Sequence, residues 1–463
     1  MQSNPRQFAL KILQRVQKGT FADTALNQVF QTSDLNQRDR RFVTELVYGS
    51  IRQQRTLDAL IEQFSTKKNG RYPVNLQLIL RLGFYQLRYL SHIPDSAAVN
   101  TTVDLAKGNG LKGLTGFVNG ILRQYLRARM SSEIDVDPLK LPNDPVAKLG
   151  LLHSYPDWIV ELWLDHLGLA GATQLCEWFN QAPSIDLRIN QLQTSSKDVE
   201  SALKTVGINC QSVHELPFTL RLLERPGLIQ ALPGFDEGWW TIQDASAQLV
   251  GYLLDPKPGE LIIDACSAPG GKTTHIAELM SDVGQIWACD RSASRLRKVT
   301  ENSQRLRLTS IKTFVRDCSL SALDIATEPS TRQKGDPWDA IADRVLVDAP
   351  CSGLGTLHRH ADARWRQSPH QGIELSHLQS KLLEQTARWV KPGGILVYST
   401  CTLNPIENEA VVQAFLQHHP EWRIETPTHN SLLAPFTQPQ GWLTLWPHIT
   451  NMDGFFMVQL KRN

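Results

Sequence analysis

Long apolar runs are missing from this 463-residue chain. No stretch approaches the ~18 residues that a membrane-crossing helix needs, so no membrane partner is expected. The amino terminus, MQSNPRQFALKILQRV, lacks an uninterrupted apolar core and a small-residue cleavage site. Instead it sets Ala9, Ile12, Leu13 and Val16 at helical spacing, which argues against a secretion signal and for a cytoplasmic protein. Cysteine is sparse: the seven (176, 210, 266, 289, 318, 351, 401) form no C-x-x-C pair and are odd in number. That argues against a disulfide framework and against a zinc ribbon; reduced thiols are left for chemistry, and no metal is expected. Low-complexity tracts are also lacking, and with 41% apolar and 20% charged residues the composition is that of a folded protein.

What is there is unevenly charged. The net charge of +2 hides 19 Lys/Arg against 8 Asp/Glu up to Met130, and 29 against 38 in the remainder. The amino-terminal part is therefore the electrostatic footprint for a polyanion such as RNA, although a merely solvated basic face gives the same count. Residues 1–136 read as helix after helix, for instance Arg41-FVTELVYGSIR and Leu76-QLILRLGFYQLRYL, with breaks at Gly19, Asn69-Gly70 and Ile93-Pro94. The segment DPLKLPNDP (137–145), with three prolines, reads as a linker. From 146 to 237, helical stretches alternate with strand-like runs such as Asp186-LRIN and Phe218-TLRLL, an α+β pattern. From 238 to 463, short apolar strands (LIIDAC, QIWACD, KTFVRD, RVLVDAP, GILVYSTC) are separated by helices, among them one expected over Glu374–Val390. This last part is expected to be an α/β Rossmann-like domain with a parallel sheet, and ligands bind such sheets at the carboxyl ends of the strands.

After LIIDAC comes Ser267-APGGKTTHIAEL, a glycine-rich turn opening a helix, where exposed backbone amides suit an anionic group. A Walker A loop fits at Gly271-Lys272-Thr273 but has Cys266 where its first glycine belongs, and the G-x-G-x-x-G fingerprint has no match. The next strand ends in Asp290, nineteen residues past Gly271, where an acid reaches ribose hydroxyls; the third ends in Asp317, able to accept from an adenine amino group. Taken singly, each acid is more commonly a cap or turn former. As an ordered set with Pro269-Gly270-Gly271 they suit adenosine linked to a carboxylate, the description of S-adenosylmethionine.

The fourth strand leads into Asp348-Ala-Pro-Cys351-Ser-Gly-Leu-Gly, and the fifth into Ser399-Thr-Cys401-Thr. Two cysteines then face one crevice. Carbon 5 of cytosine is a poor nucleophile, and a thiolate added to carbon 6 turns the ring into an enamine able to attack a sulfonium methyl. Asp348 is placed to act at N3 and the amino group, and Lys272 or the sulfonium to favour a thiolate. Free cysteines are usually buried packing, the reading taken for Cys176, Cys210, Cys289 and Cys318, while Cys266 is expected to shape the cofactor loop.

The ordered runs DACSAPGGKTTHIAE, ACDRS, RDCS, VLVDAPCSGLGTLHRH and YSTCTLNPIENEA resemble the RNA 5-methylcytosine methyltransferases of the Sun/Fmu family. Thr241-IQDASAQLV and Asp453-Gly-Phe-Phe resemble further motifs of it, and VYGSIRQQ with Phe117-VNGILRQYLR is similar to the RNA-binding factor NusB, which the family's bacterial ribosomal branch carries in front. The resemblance covers nearly the whole chain. It implies methylation of cytosine C5 in RNA, the 16S rRNA of the small ribosomal subunit foremost. Cys401 of the T-C motif would be the nucleophile, and Cys351 of the P-C motif would assist product release. The cofactor contacts it implies are Cys266, Ser267, Ala268, Pro269, Gly270, Gly271, Lys272, Asp290, Asp317 and Asp348. Ser267 is a departure, since alanine is usual there, and Asn100-Thr101 replaces a pair that normally includes an acid.

The basic stretch His358-Arg-His-Ala-Asp-Ala-Arg-Trp-Arg suits phosphate contact and stacking of an extruded base, against a plain solvated loop. A monomer is expected. Readings left open are action on tRNA or another rRNA site, and an RNA-binding protein whose α/β part is a passenger; the missing first glycine weakens a P-loop ATPase.

Overall fold

The computed structural model describes residues 4–65, 72–130, 137–213, 216–224, 226–321, 336–427 and 431–463. The chain divides into two compact units, residues 1–181 with 357–366, and 182–356 with 367–463. Among the described residues no helix is long and apolar enough to cross a membrane.

The first unit is all helix. Its helices run Pro5–Gln17, Ala22–Gln31, Gln37–Arg52, Gln54–Phe64, Val74–Tyr89, Asp95–Gly108, Thr115–Met130, Pro145–His153 and Asp157–Phe179. The breaks at Gly19 and Ile93-Pro94 fall between helices as expected, while Asn69-Gly70 lies outside the described residues. The long last helix is two, since Gly168 leaves helical geometry with φ of 65°. Apolar stripes such as Val43, Leu46, Val47 and Ile51 meet Leu76, Ile79, Leu80 and Leu82 in one core. Several of the excess cations are held locally: Arg81 pairs with Asp58, Arg55 with Asp157, and Arg88 with Asp137. Lys11, Lys18, Lys107, Lys112, Arg123 and Arg127 remain exposed.

Within residues 357–366 the expectation of an exposed loop fails for His358 and Arg364, which are buried, while His360 is exposed and Arg359, Trp365 and Arg366 are half-buried. Arg364 is wholly buried. Its guanidinium lies 4.1 Å over the Tyr155 ring and donates to the Ser154 carbonyl at 3.2 Å and Asn180 Oδ1 at 3.0 Å, and burial pushes its pKa down to about 10. Trp365 Nε1 donates to the Ile51 carbonyl, Arg366 donates to the carbonyls of Gly19 and Thr20, and His358 packs against Trp178. Cations and aromatics here satisfy helix-end carbonyls, which otherwise have no partners.

The second unit holds two sheets. Strands β1 (Ile185–Ile189), β2 (Cys210–Ser212), β3 (Thr219–Leu222) and β4 (Trp240–Ile242) form an antiparallel sheet in the order β2-β3-β1-β4. The helix Ser196–Thr205 packs its Val199 and Leu203 on Leu187, Ile189 and Leu220. This is the α+β part, and β4, which lies past residue 237, completes its sheet.

The larger sheet comprises β5 (Leu261–Asp264), β6 (Gln285–Asp290), β7 (Ile311–Val315), β8 (Ala342–Asp348), β9 (Val390–Thr400), β10 (Trp422–Ile424), β11 (Leu443–Leu445) and β12 (Phe455–Arg462). Strands β7-β6-β5-β8-β9 are parallel, the Rossmann-like core expected from the alternation. Strand β12 runs antiparallel beside β9 and carries β10 and β11, an edge the alternation did not reveal. The expected helix over 374–390 instead spans Pro369–Ala387, because Ser368 and Gln371 form a capping box with Pro369 in the first turn. Between β5 and β8 the order of the sheet reverses, and the crevice this opens lies at the strands' carboxyl ends.

Candidate active site

Two turns flank that crevice. The first follows β5: Ser267 donates from its backbone and from Oγ to the Cys289 carbonyl, at 2.8 and 3.0 Å. The hydroxyl that departs from the usual alanine thus ties the loop to β6. Gly270 has φ of 105°, and a Cβ there would sit 3.1 Å from Val299 Cα, so the turn requires glycine. The helix Gly271–Leu279 begins at once, and its first-turn amides have no intrahelical acceptors. Thr273 Oγ1 donates to Asp264 Oδ2 at 2.7 Å, and the Asp264 side chain is almost fully buried. Burial, with Asp348 adding to it, pushes the Asp264 carboxyl up to about 7 against the Thr273 hydrogen bond.

Farther along the same edge, Asp290 ends β6. One of its oxygens accepts from the Ser292 amide at 2.8 Å, and the other meets Arg295 at 3.1 Å. Asp317, two residues past β7, accepts from the Ser319 amide and hydroxyl at 3.0 and 2.6 Å. Both acids therefore shape their own turns as well as standing on the crevice edge.

The second turn follows β8. Lys272 Nζ donates to Asp348 Oδ2 at 2.7 Å, and Ser399 Oγ donates to Asp348 Oδ1 at 3.0 Å. The Lys272 ammonium lies 4.9 Å from the Phe455 ring centroid. Burial works to lower its pKa, but Asp348, joined by Cys401 and Asp264, outweighs burial and holds it above the ordinary lysine value. The structure brings Cys351 and Cys401 together, with their sulfurs 3.4 Å apart and both side chains half-buried. The hydrogen bond with Cys401 and then burial push the Cys351 thiol well above its usual range. Cys176, Cys289 and Cys318 are buried as packing, and Cys210 is half-buried on β2.

The pairing of the sulfurs rests on residues that no sequence pattern singled out. Glu407, fully buried, accepts from the Ser352 amide at 2.8 Å, from Ser352 Oγ at 2.5 Å, from Gln379 and from Asn404. Ser352 Oγ also shares a hydrogen bond with Thr402 at 2.7 Å, and Asn408 binds Thr400 Oγ1 and the Thr402 carbonyl. Each cysteine thus has its following residue anchored to one network. The Gly355 amide donates to the Cys401 carbonyl at 2.9 Å, and a Cβ on Gly355 would lie 2.0 Å from the Gly454 carbonyl. The run NPIENEA was noticed only as part of a motif; an acid that close to a candidate nucleophile was the available signal.

The fold and this edge define a Rossmann-like methyltransferase domain joined to a helical module. Residues 251–461 match the model of the 16S rRNA methyltransferase RsmB/F family, 3–127 the NusB family and 155–228 the ferredoxin-like domain of RsmF/B-like methyltransferases. The chain is 49% identical to the probable ribosomal RNA small subunit methyltransferase B of Synechocystis sp., over 99% of both chains. It is 34% identical to the protein of the same name from Bacillus subtilis, over 99% of this chain and 98% of that one. Among solved structures it resembles PH0851, with a TM-score of 0.78, 25% identity and complete coverage of both chains. A methyltransferase homologue from Pyrococcus horikoshii matches 70% of this chain and 100% of its own, at 29% identity and a TM-score of 0.56. The chain belongs to the RsmB/F family of methyltransferases.

Proposed function

We propose that this chain methylates carbon 5 of a cytosine in 16S rRNA of the small ribosomal subunit, with S-adenosylmethionine as methyl donor and Cys401 as nucleophile. The observation that carries the reading is the 3.4 Å approach of Cys351 and Cys401 beside the Lys272–Asp348 pair. Packing alone has no need of two half-buried thiols drawn together beside an ion pair and anchored by a polar network.

The donor fits the residues at the crevice. Its carboxylate suits the first-turn amides of the helix Gly271–Leu279, its ribose suits Asp290, and its adenine amino group suits Asp317. The backbone from Cys266 to Gly271 supports that position, with Pro269 exposed and Ala268 packed on Leu296 and Val299. When bound, the donor supplies an electrophilic methyl group.

The chain's own residues do the rest. Cys401 Sγ, as thiolate, forms a bond to C6 of the cytosine, and the electron pair displaced from the C5–C6 double bond makes C5 nucleophilic. Asp348, at hydrogen-bond distance from Lys272 and Ser399, is the group to hold N3 and the exocyclic amine. After C5 has been methylated, a base such as water takes its proton, the C5–H electron pair re-forms the C5–C6 double bond, and the C6–S bond breaks with its pair returning to Cys401. Cys351, protonated, assists that release by hydrogen-bonding to the departing Cys401 sulfur at 3.4 Å and supplying its proton. The exposed cations of the helical unit serve RNA phosphates, and the chain works as a cytoplasmic monomer.

The test is to incubate the protein with labelled S-adenosylmethionine and unmodified 16S rRNA and to map 5-methylcytosine. Label appearing at C5 of one cytosine supports the reading; label on another atom, or none, overturns it.

A further inference from the structure

Strand β1 carries an unusual alternation. Leu187 and Ile189 face the helix Ser196–Thr205, whereas Asp186, Arg188 and Asn190, on the opposite face, are also almost fully buried. Two-residue periodicity normally puts polar side chains in water. Here they meet the methyltransferase domain: Asp186 accepts from the Ala245 amide at 3.1 Å, and Asn190 donates to the Leu306 carbonyl at 3.0 Å.

Arg188, between them, uses all five of its N–H donors. Nε and NH2 form a fork with the Glu278 carboxylate at 2.9 and 2.8 Å. NH2 also reaches Thr274 Oγ1 at 2.9 Å, and NH1 donates to Gln243 Oε1 and to the Gly271 carbonyl, the latter at 2.6 Å. Glu278, Thr274 and Gly271 all belong to the one helix that opens the cofactor loop. Gly271 is its first residue, and the carbonyl held by Arg188 continues the peptide plane that carries the Lys272 amide. Tilting that plane would re-aim the first-turn amides.

We propose that Arg188, from the small antiparallel sheet, is a positioning residue for the methyl donor, setting the first turn of the helix Gly271–Leu279 at the angle the donor's carboxylate requires. This rests on the reading of that loop as the donor site. A purely structural role predicts something different: losing a clamp would reduce the amount of active protein and leave donor affinity untouched.

The experiment replaces the buried ion pair by apolar groups of similar volume, Arg188→Met with Glu278→Met, an exchange that buried pairs often tolerate without loss of stability. Binding of S-adenosylhomocysteine is measured by calorimetry, and methylation kinetics are run over donor and RNA separately. The expected result is at least tenfold weaker S-adenosylhomocysteine binding and a matching rise in the donor KM, with kcat at saturating donor and the RNA KM within about twofold. Unchanged S-adenosylhomocysteine affinity in the folded double variant overturns the proposal. Should the double variant not fold, Arg188→Lys carries the same expectation, because an ammonium has three donors and cannot serve the fork and Gly271 together. Failure of the unaltered chain to bind S-adenosylhomocysteine is a separate outcome, and it overturns the donor-site reading along with the proposal.

Discussion

Replacing Cys351 by alanine should trap this protein on its substrate. Two thiolates 3.4 Å apart would repel by about 5 kcal/mol at an effective dielectric constant near 20, a factor of roughly 10³–10⁴ against double ionisation. With Cys351 held protonated by its hydrogen bond to Cys401 and by burial, Cys401 is the sulfur left to attack on this proposal. Addition to C6 needs only Cys401, so Cys351→Ala leaves it intact. Release loses a proton-handling group of the kind worth about 10²–10⁴ in rate, so an adduct that turns over in seconds should persist for minutes to hours. The assay is a denaturing gel with end-labelled RNA and S-adenosylmethionine. Cys351→Ala should shift RNA to the protein band, and Cys401→Ala should give neither shifted band nor methylated product. The cost of Cys351→Ala to the fold should be small, because Glu407 holds the turn through Ser352 instead. A shifted band from Cys401→Ala and none from Cys351→Ala would refute the assignment of roles.

Asp264 sets a pH dependence. Its folded pKa of about 7 lies above the ordinary 3.8, so the stability it contributes is complete below about pH 4 and is lost as pH rises through 7. Asp264→Asn should flatten that fall in urea melts compared at pH 5 and pH 8, and an unchanged slope would exclude Asp264 as its source. Gly270→Ala places a side chain at φ of 105° against Val299 and should cost roughly 1–2 kcal/mol from the backbone alone. Donor binding should weaken with it, as calorimetry with S-adenosylhomocysteine would register; equal affinity would mean the turn tolerates the change. Arg364→Met leaves the Ser154 carbonyl without the Arg364 donor, leaves Asn180 Oδ1 with the Tyr155 hydroxyl alone, and removes the cation over Tyr155, a loss of roughly 1–3 kcal/mol. Denaturant unfolding reads it, and a change below about 0.5 kcal/mol would place Arg364 outside the load of the helical unit.

Much of the molecule was legible in its residues because local chemistry dictated it. Apolar spacing of 3.6 marked the helices from Pro5 to Met130, and alternating strands and helices marked a parallel sheet whose carboxyl edge had to carry Asp290, Asp317, Asp348, Cys351 and Cys401. These features depend on neighbours within a few positions in the chain. The sequence could not reveal that the two sulfurs stand 3.4 Å apart, since that separation is the product of the β8–β9 register and of Glu407 anchoring Ser352. Nor could it reveal that His358 and Arg364 would be buried. The same cations and aromatics that suit an RNA surface also suit helix-end carbonyls, and composition is blind to the difference. Arg188 teaches the same lesson from the other side: a polar residue on an alternating strand reads as solvent-facing until the helix Gly271–Leu279 supplies four acceptors for it. Residue types and their order determined which chemistry this chain can perform. Only packing between distant segments decided where each charged group is kept from water, because burial and hydrogen-bond partners belong to the assembled fold rather than to any stretch of it.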